Sequence, residues 1–149
     1  MKKISLFLWF DGKALQAAKF YVSIFKRSSK NCRILDAGDQ SVSFELEGQE
    51  YIAFNGGPMF KFSPAMSLFV SCKDQKEVDY YWDALSKGGK KGRCGWLTDK
   101  FGVTWQVIPK GLGDLLGGDD DEGAARAMQA MLKMKKLEIA KLKRAYEGK

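Results

Sequence analysis

The side chains able to do chemistry are few, and their types narrow the choice. The chain has no histidine among its 149 residues, which removes imidazole as a general base and as a metal ligand. Its three cysteines, Cys32, Cys72 and Cys94, are odd in number and lack paired metal-ligand spacing, so neither a disulfide framework nor a zinc knuckle is expected. Cys94 beside Gly95-Trp96 has no histidine base and only distant lysines to lower its pKa, and reads as structural. The stretch CGWLTDKFGVTWQVIP, Cys94 to Pro109, reads as two short strands joined by a turn at Asp99-Lys100-Phe101-Gly102. Its second strand carries one glutamine, Gln106, in an otherwise apolar or neutral run. That amide is either satisfied within the core or touches a ligand, and the residues leave both readings open. Asn55-Gly56-Gly57-Pro58 resembles a phosphate loop, but no helical pattern follows it, so a turn leaving a strand is the reading. No strand runs into a glycine-rich turn and helix with a downstream acid, the arrangement common for nucleoside cofactors.

The elements that must position these residues repeat. Ile4 to Phe10 reads as a strand, followed by a break at Asp11-Gly12 and a helix with Ala14, Ala17, Ala18, Tyr21, Val22 and Phe25 at helical spacing. Strand patterns follow at Cys32–Ala37, Ser41–Leu46 and Glu50–Phe54. The order then recurs: Ala65 to Cys72 is a strand pattern, and Asp74 caps a helix carrying Val78, Tyr81, Trp82 and Leu85 that stops at Gly88-Gly89. Short strands then lead to Phe101–Ile108. Two βαβββ modules at a period of about sixty residues predict an α+β fold of curved mixed sheets, each with one face under a helix and the other turned to a cavity. Their expected extents are about 1–60 and 61–116, with residues 117–149 a linker and C-terminal helices of the same domain. The linker runs from Gly117, helices are expected at Ala124–Lys136 and Leu137–Tyr146, and Met128, Met131 and Leu132 form an apolar stripe for core or dimer contact.

Bulk composition sets limits on partners. Residues 133–149 hold seven basic and two acidic side chains, so five of the formal net charge of +7 sit in the tail and two remain for the other 132 residues. Without arginine–aromatic interleaving or a binding motif, this basic stripe reads as a solvated face and not a nucleic-acid site. Apolar runs are too short to span a bilayer, and Asp11 interrupts the first before it could serve as a signal sequence. A cytoplasmic protein with no membrane partner is expected.

The segments FLWFDGKALQAAKFYVSIF, YIAFNGGPMFKFSPAMSLFV, CGWLTDKFGVTWQVIP and AMLKMKKLEIAKLKRAY carry a family likeness. The chain resembles the vicinal oxygen chelate superfamily of glyoxalase I, bleomycin-resistance protein and extradiol dioxygenase. Within it, the likeness is strongest to small PhnB-like bacterial proteins often labelled 3-demethylubiquinone methyltransferase-like. The segment between Phe25 and Ser41 looks shorter than is usual for them. Active superfamily members hold a divalent metal on the first and last strands of their modules, and the resemblance puts those slots at Ser5, Asn55, near Ala65, and at Gln106. All four are uncharged, so the expectation is a metal-free protein without cofactor. Alternation from Ser5 and Gln106 gives the implied ligand pocket: Ser5, Phe7 and Trp9, with Ala53 and Asn55, Ser67 and Phe69, and Thr104 and Gln106. The expected function is small-molecule binding by a homodimer. The alternative is an enzyme, either with an atypical site built on Gln106, Asn55 and Cys94 or with the methyltransferase-like activity of the subfamily label.

Overall fold

Strand β1 (Leu6–Phe10) is joined to a distant strand by helix α1 (Ala14–Phe25), after which β2 (Arg33–Ala37), β3 (Ser41–Leu46) and β4 (Gln49–Asn55) follow as a meander in this computed structural model, which describes residues 2–149. The sheet order is β1-β4-β3-β2, with β1 parallel to β4 and the other pairs antiparallel. The same plan repeats in β5 (Leu68–Cys72), α2 (Gln75–Ser86), β6 (Lys90–Lys91), β7 (Trp96–Thr98) and β8 (Thr104–Pro109), ordered β5-β8-β7-β6. The protein is thus α+β, with two βαβββ modules. Two compact units result, one ending at Phe62 and the other spanning Ser63–Lys149. Among the described residues no helix is long and apolar enough to cross a membrane.

In the first unit, Ala14, Ala17, Ala18, Tyr21, Ile24 and Phe25 form the buried stripe of α1, Ile24 being buried where Val22 is only half-buried. The stripe covers Leu8, Phe10, Val42, Phe44 and Ala53, with Phe44 stacked on Tyr51 at 5.0 Å. The short Phe25–Ser41 segment still supplies β2, which pairs with β3 through a register shift between Ile34 and Asp36. In the second unit α2 begins as its sequence requires: the Asp74 carboxylate accepts the Glu77 N–H at 2.9 Å. Val78, Tyr81, Trp82 and Leu85 are buried, as are Leu97, Trp105 and Val107 of the sheet. Strand β5 starts at Leu68 and not at Ala65, because residues 64–66 form a turn around Ser63.

The β7–β8 hairpin is organised by one buried carboxylate. Asp99, 3% exposed, accepts the backbone N–H groups of Phe101 at 2.8 Å and Val103 at 3.1 Å on Oδ1. Its Oδ2 accepts the Trp105 indole N–H at 2.8 Å. A buried anion is tolerable when several donors surround it.

The tail departs from expectation. A helix unforeseen in the sequence, α3 (Leu112–Leu116), precedes Gly117, then come α4 (Asp121–Leu132) and α5 (Ile139–Glu147). Helix α4 stops at Leu132, short of the expected Lys136, because Met134 and Leu137 turn inward with Leu112 and Leu142 as a core of their own. Met131 packs against that core, but Met128 and Leu132 are 37% and 46% exposed. The segment between α4 and α5 is tied to the module by its backbone. Met134 and Lys135 carbonyls accept the Cys94 and Gly95 N–H groups at 2.9 and 2.8 Å. The Gln75 amide donates to the Leu137 carbonyl at 3.0 Å and accepts the Ile139 N–H at 2.8 Å.

Replacing Asp99 by asparagine leaves one acceptor but sets an NH2 group against a donor. We expect Asp99→Asn to lose about 1–3 kcal/mol in urea denaturation; an unchanged midpoint would show that the carboxylate does not hold the turn.

Candidate functional site

Strand register decides which side chains share a face. In the first sheet Phe7 lies opposite Ile52 and Trp9 opposite Phe54, so these four occupy the face away from α1. Ala53 and Asn55 lie opposite Leu8 and Phe10, on the face beneath α1. The expected pairing of Asn55 with Phe7 and Trp9 is therefore corrected, since residues directly opposite in register share a face. The Asn55 amide is consumed there: Oδ1 accepts the Ala14 N–H at 2.9 Å, replacing a helix cap that Lys13 does not provide, and Nδ2 donates to the Asp39 carbonyl at 3.1 Å. Ser5 lies just before β1, and its hydroxyl is buried without a hydrogen-bond partner among the described residues.

Trp9 is fixed by the loop that follows β4. Its indole N–H donates to the Gly57 carbonyl at 2.9 Å, and its ring meets Phe54 and Phe60 edge-on at 5.2 and 4.9 Å. Gly56 must be glycine, because a Cβ there would sit 2.1 Å from the indole. The Asn-Gly-Gly-Pro stretch is thus a turn that seats Trp9.

In the second sheet Gln106 lies between Phe69 of β5 and Trp96 of β7 on the face away from α2. Its Nε2 donates to the Ser67 hydroxyl at 2.9 Å, while its Oε1 makes no hydrogen bond among the described residues. This face opens into a recess of about 560 Å³ whose sheet side includes Phe69, Trp96, Gln106 and Ile108, and whose tail side includes Leu116 and Met131. Of the four residues expected from this module, Phe69 and Gln106 line the recess. Ser67 orients Gln106 from beside it, and Thr104 is buried at 5% exposure outside the lining. Trp96 escapes the sequence reading, because a turn at Asp99–Gly102 would set it against Trp105; Val103 joins the turn, Thr98 pairs with Thr104, and Trp96 meets Gln106. The tail residues carried no signal.

The chemistry of this wall is uncharged apart from Lys110. Cys94 also lines it, with its thiol donating to the Met131 carbonyl at 3.6 Å. Cys72 is inert, its thiol pushed up to about 12 by burial and then by Glu77 and Asp74. The metal slots implied by the superfamily do not assemble a donor set: Asn55 spends its amide on backbone, Ala65 has no donor, and Ser5 and Gln106 are neutral. Among the described residues no three His, Cys, Asp or Glu side chains cluster as metal ligands. The residues present do not fit a divalent ion.

The profile of the 3-demethylubiquinone-9 3-methyltransferase family matches residues 2–108. The chain belongs to that family. A solved PhnB protein from Bacillus cereus, described as a putative 3-demethylubiquinone-9 3-methyltransferase, is 32% identical with a TM-score of 0.63, covering 72% of this chain and 99% of its own. A Pseudomonas aeruginosa protein (18% identical, TM-score 0.56, 73% and 98% covered) is similar in fold. So is a possible glyoxalase from Bacillus cereus (11%, TM-score 0.51, 72% and 99%). No curated protein matches the chain. This PhnB-like member therefore has a glyoxalase-like fold.

Gly56→Ala forces the Trp9 indole out of its seat. The expected result is a loss of about 1–3 kcal/mol and a displaced Trp9 indole N–H resonance in the NMR spectrum; a retained resonance and midpoint would contradict the packing described.

Proposed function

We propose that the chain binds a flat, largely apolar small molecule on the face of its second sheet away from α2, without a bound metal. One observation carries this reading: an amide held by Ser67, with its carbonyl oxygen unused, stands between Phe69 and Trp96 in a recess of about 560 Å³. Such a volume suits one small ligand, and a single placed polar group among apolar walls is how such sites fix orientation. The family description names methyl transfer to a demethylated ubiquinone, which makes a quinone-like ring the first ligand class to test. The same description favours a second reading, methyl transfer itself; a methylated product formed with S-adenosylmethionine would establish it.

A quinone panel screened by thermal shift should raise the melting temperature of the wild type, because a ligand selective for the folded state stabilises it. Gln106→Ala is expected to weaken that ligand about five-fold, the loss of one neutral hydrogen bond. Unchanged affinity in a folded variant would remove the amide from the site. Zinc, iron, manganese or nickel retained at one per chain after dialysis would overturn the metal-free part of the reading.

We also propose a homodimer. Its support is the exposed apolar surface on the sheet faces away from α1 and α2, with Phe7 53% and Phe69 60% exposed, together with the half-covered Met128 and Leu132 on α4. Light scattering at micromolar concentration should give the mass of two chains, and a monomeric mass would refute it.

A further inference from the structure

A second and larger recess, of about 910 Å³, also lies in the unit Ser63–Lys149. It shares the Pro109–Leu112 segment with the first but contains neither Gln106 nor Phe69. Six cations line it; Lys136 and Lys141 are held in ion pairs, and the other four, Lys73, Lys110, Lys143 and Arg144, come from three separate stretches of sequence. Their convergence follows from the topology. Strands β5 and β8 are parallel neighbours, with Cys72 opposite Pro109 and the Lys110 N–H donating to the Cys72 carbonyl at 2.7 Å, so Lys73 and Lys110 leave adjacent strand ends. Helix α5 is brought to the same place by Gln75, which accepts the Ile139 N–H.

The acids lining this recess mostly have partners of their own. Asp79 accepts from Gln75 at 2.9 Å and pairs with Lys136 at 3.0 Å; these partners hold its carboxyl below the usual range. Glu138 pairs with Lys141 at 3.0 Å, and Asp74 caps α2. Only Asp114 among the lining acids has neither an ion pair nor a capping bond, against four cations that are in no ion pair among the described residues. Leu115, Ile139 and Tyr146 add apolar wall between the charges. We propose that this recess binds a small amphipathic anion, a phosphate or polycarboxylate group carried on an apolar body. Cations gathered from independent segments beside apolar wall suit such a ligand, since the charge fixes its head and the wall covers its body. The family profile ends at residue 108, so Lys110 and α5 lie outside the part of the chain that the family match describes. The inference is independent of the Gln106 reading.

The test is isothermal titration of the full chain at fixed ionic strength with phenyl phosphate, phthalate and, as the neutral control, benzyl alcohol. Saturable binding is expected for at least one anion and not for the alcohol, and the tighter anion identifies the head group. The double variant Lys110→Gln/Arg144→Gln should weaken it about ten-fold, the loss of charge-assisted contacts. Gln106→Ala should leave it unchanged. Raising salt on the wild type should weaken it as well, a readout that needs no variant. The proposal is overturned if neither anion saturates, if the folded double variant binds as the wild type does, if salt has no effect, or if Gln106→Ala abolishes binding.

Discussion

Each module pairs its first strand with its last in parallel, and most of the architecture follows from that pairing. A parallel pair cannot be closed by a hairpin; it needs a crossover, and here α1 and α2 provide it. The crossover helix then covers one face of its sheet and leaves the other to different partners, in the second unit residues of α3 and α4. In the register of the parallel pairing Trp9 neighbours Phe54 in one unit and Phe69 neighbours Gln106 in the other. The same pairing sends Lys73 and Lys110 out of adjacent strand ends. Site chemistry in this chain is therefore a consequence of strand order before it is a consequence of any particular side chain.

The tail is attached to this frame at two places, and each attachment borders a recess. Backbone bonds from Cys94 and Gly95 hold Met134 and Lys135 near the wall formed by Met131 and Leu116. Gln75 holds Leu137 and Ile139, and with them the start of α5. The buried set Leu112, Met134, Leu137 and Leu142 supplies the apolar term, since burying side chains of this size stabilises by roughly 1.5–3 kcal/mol each. The polar bonds set position, and the apolar core supplies most of the holding energy.

Much of this was legible in the sequence. The two βαβββ modules, the Asp74 cap, the Asp99–Gly102 turn and the structural role of Asn55-Gly56-Gly57-Pro58 follow from local pattern, because each is decided by residues close in the chain. What failed needed information across the chain. Asn55 falls beneath α1 and not beside Phe7, and because both faces of β1 are apolar nothing local sets that parity. Helix α3 is five residues long and lies between glycines, too short for periodicity to announce. Met134 continues the helical pattern of the sequence, but its inward turn depends on Leu137 and Leu142 meeting Leu112. Trp96 and Gln106 belong to one hairpin, but their pairing depends on Val103 joining the turn, and the tail wall of their recess comes from residues distant in the chain.

The bonds that dock the segment from Met134 to Ile139 engage its main chain at four positions: the carbonyls of Met134, Lys135 and Leu137 and the N–H of Ile139. Apart from the Lys136–Asp79 ion pair, an attachment of this kind makes little demand on side-chain identity beyond apolar residues where the small core needs them. The surface charges of α5 are consequently free to drift under selection without loosening the helix from its seat. Lys143 and Arg144 stand on a mount that does not depend on them, so the preference of the neighbouring recess can be retuned by point substitution while the scaffold stays as it is.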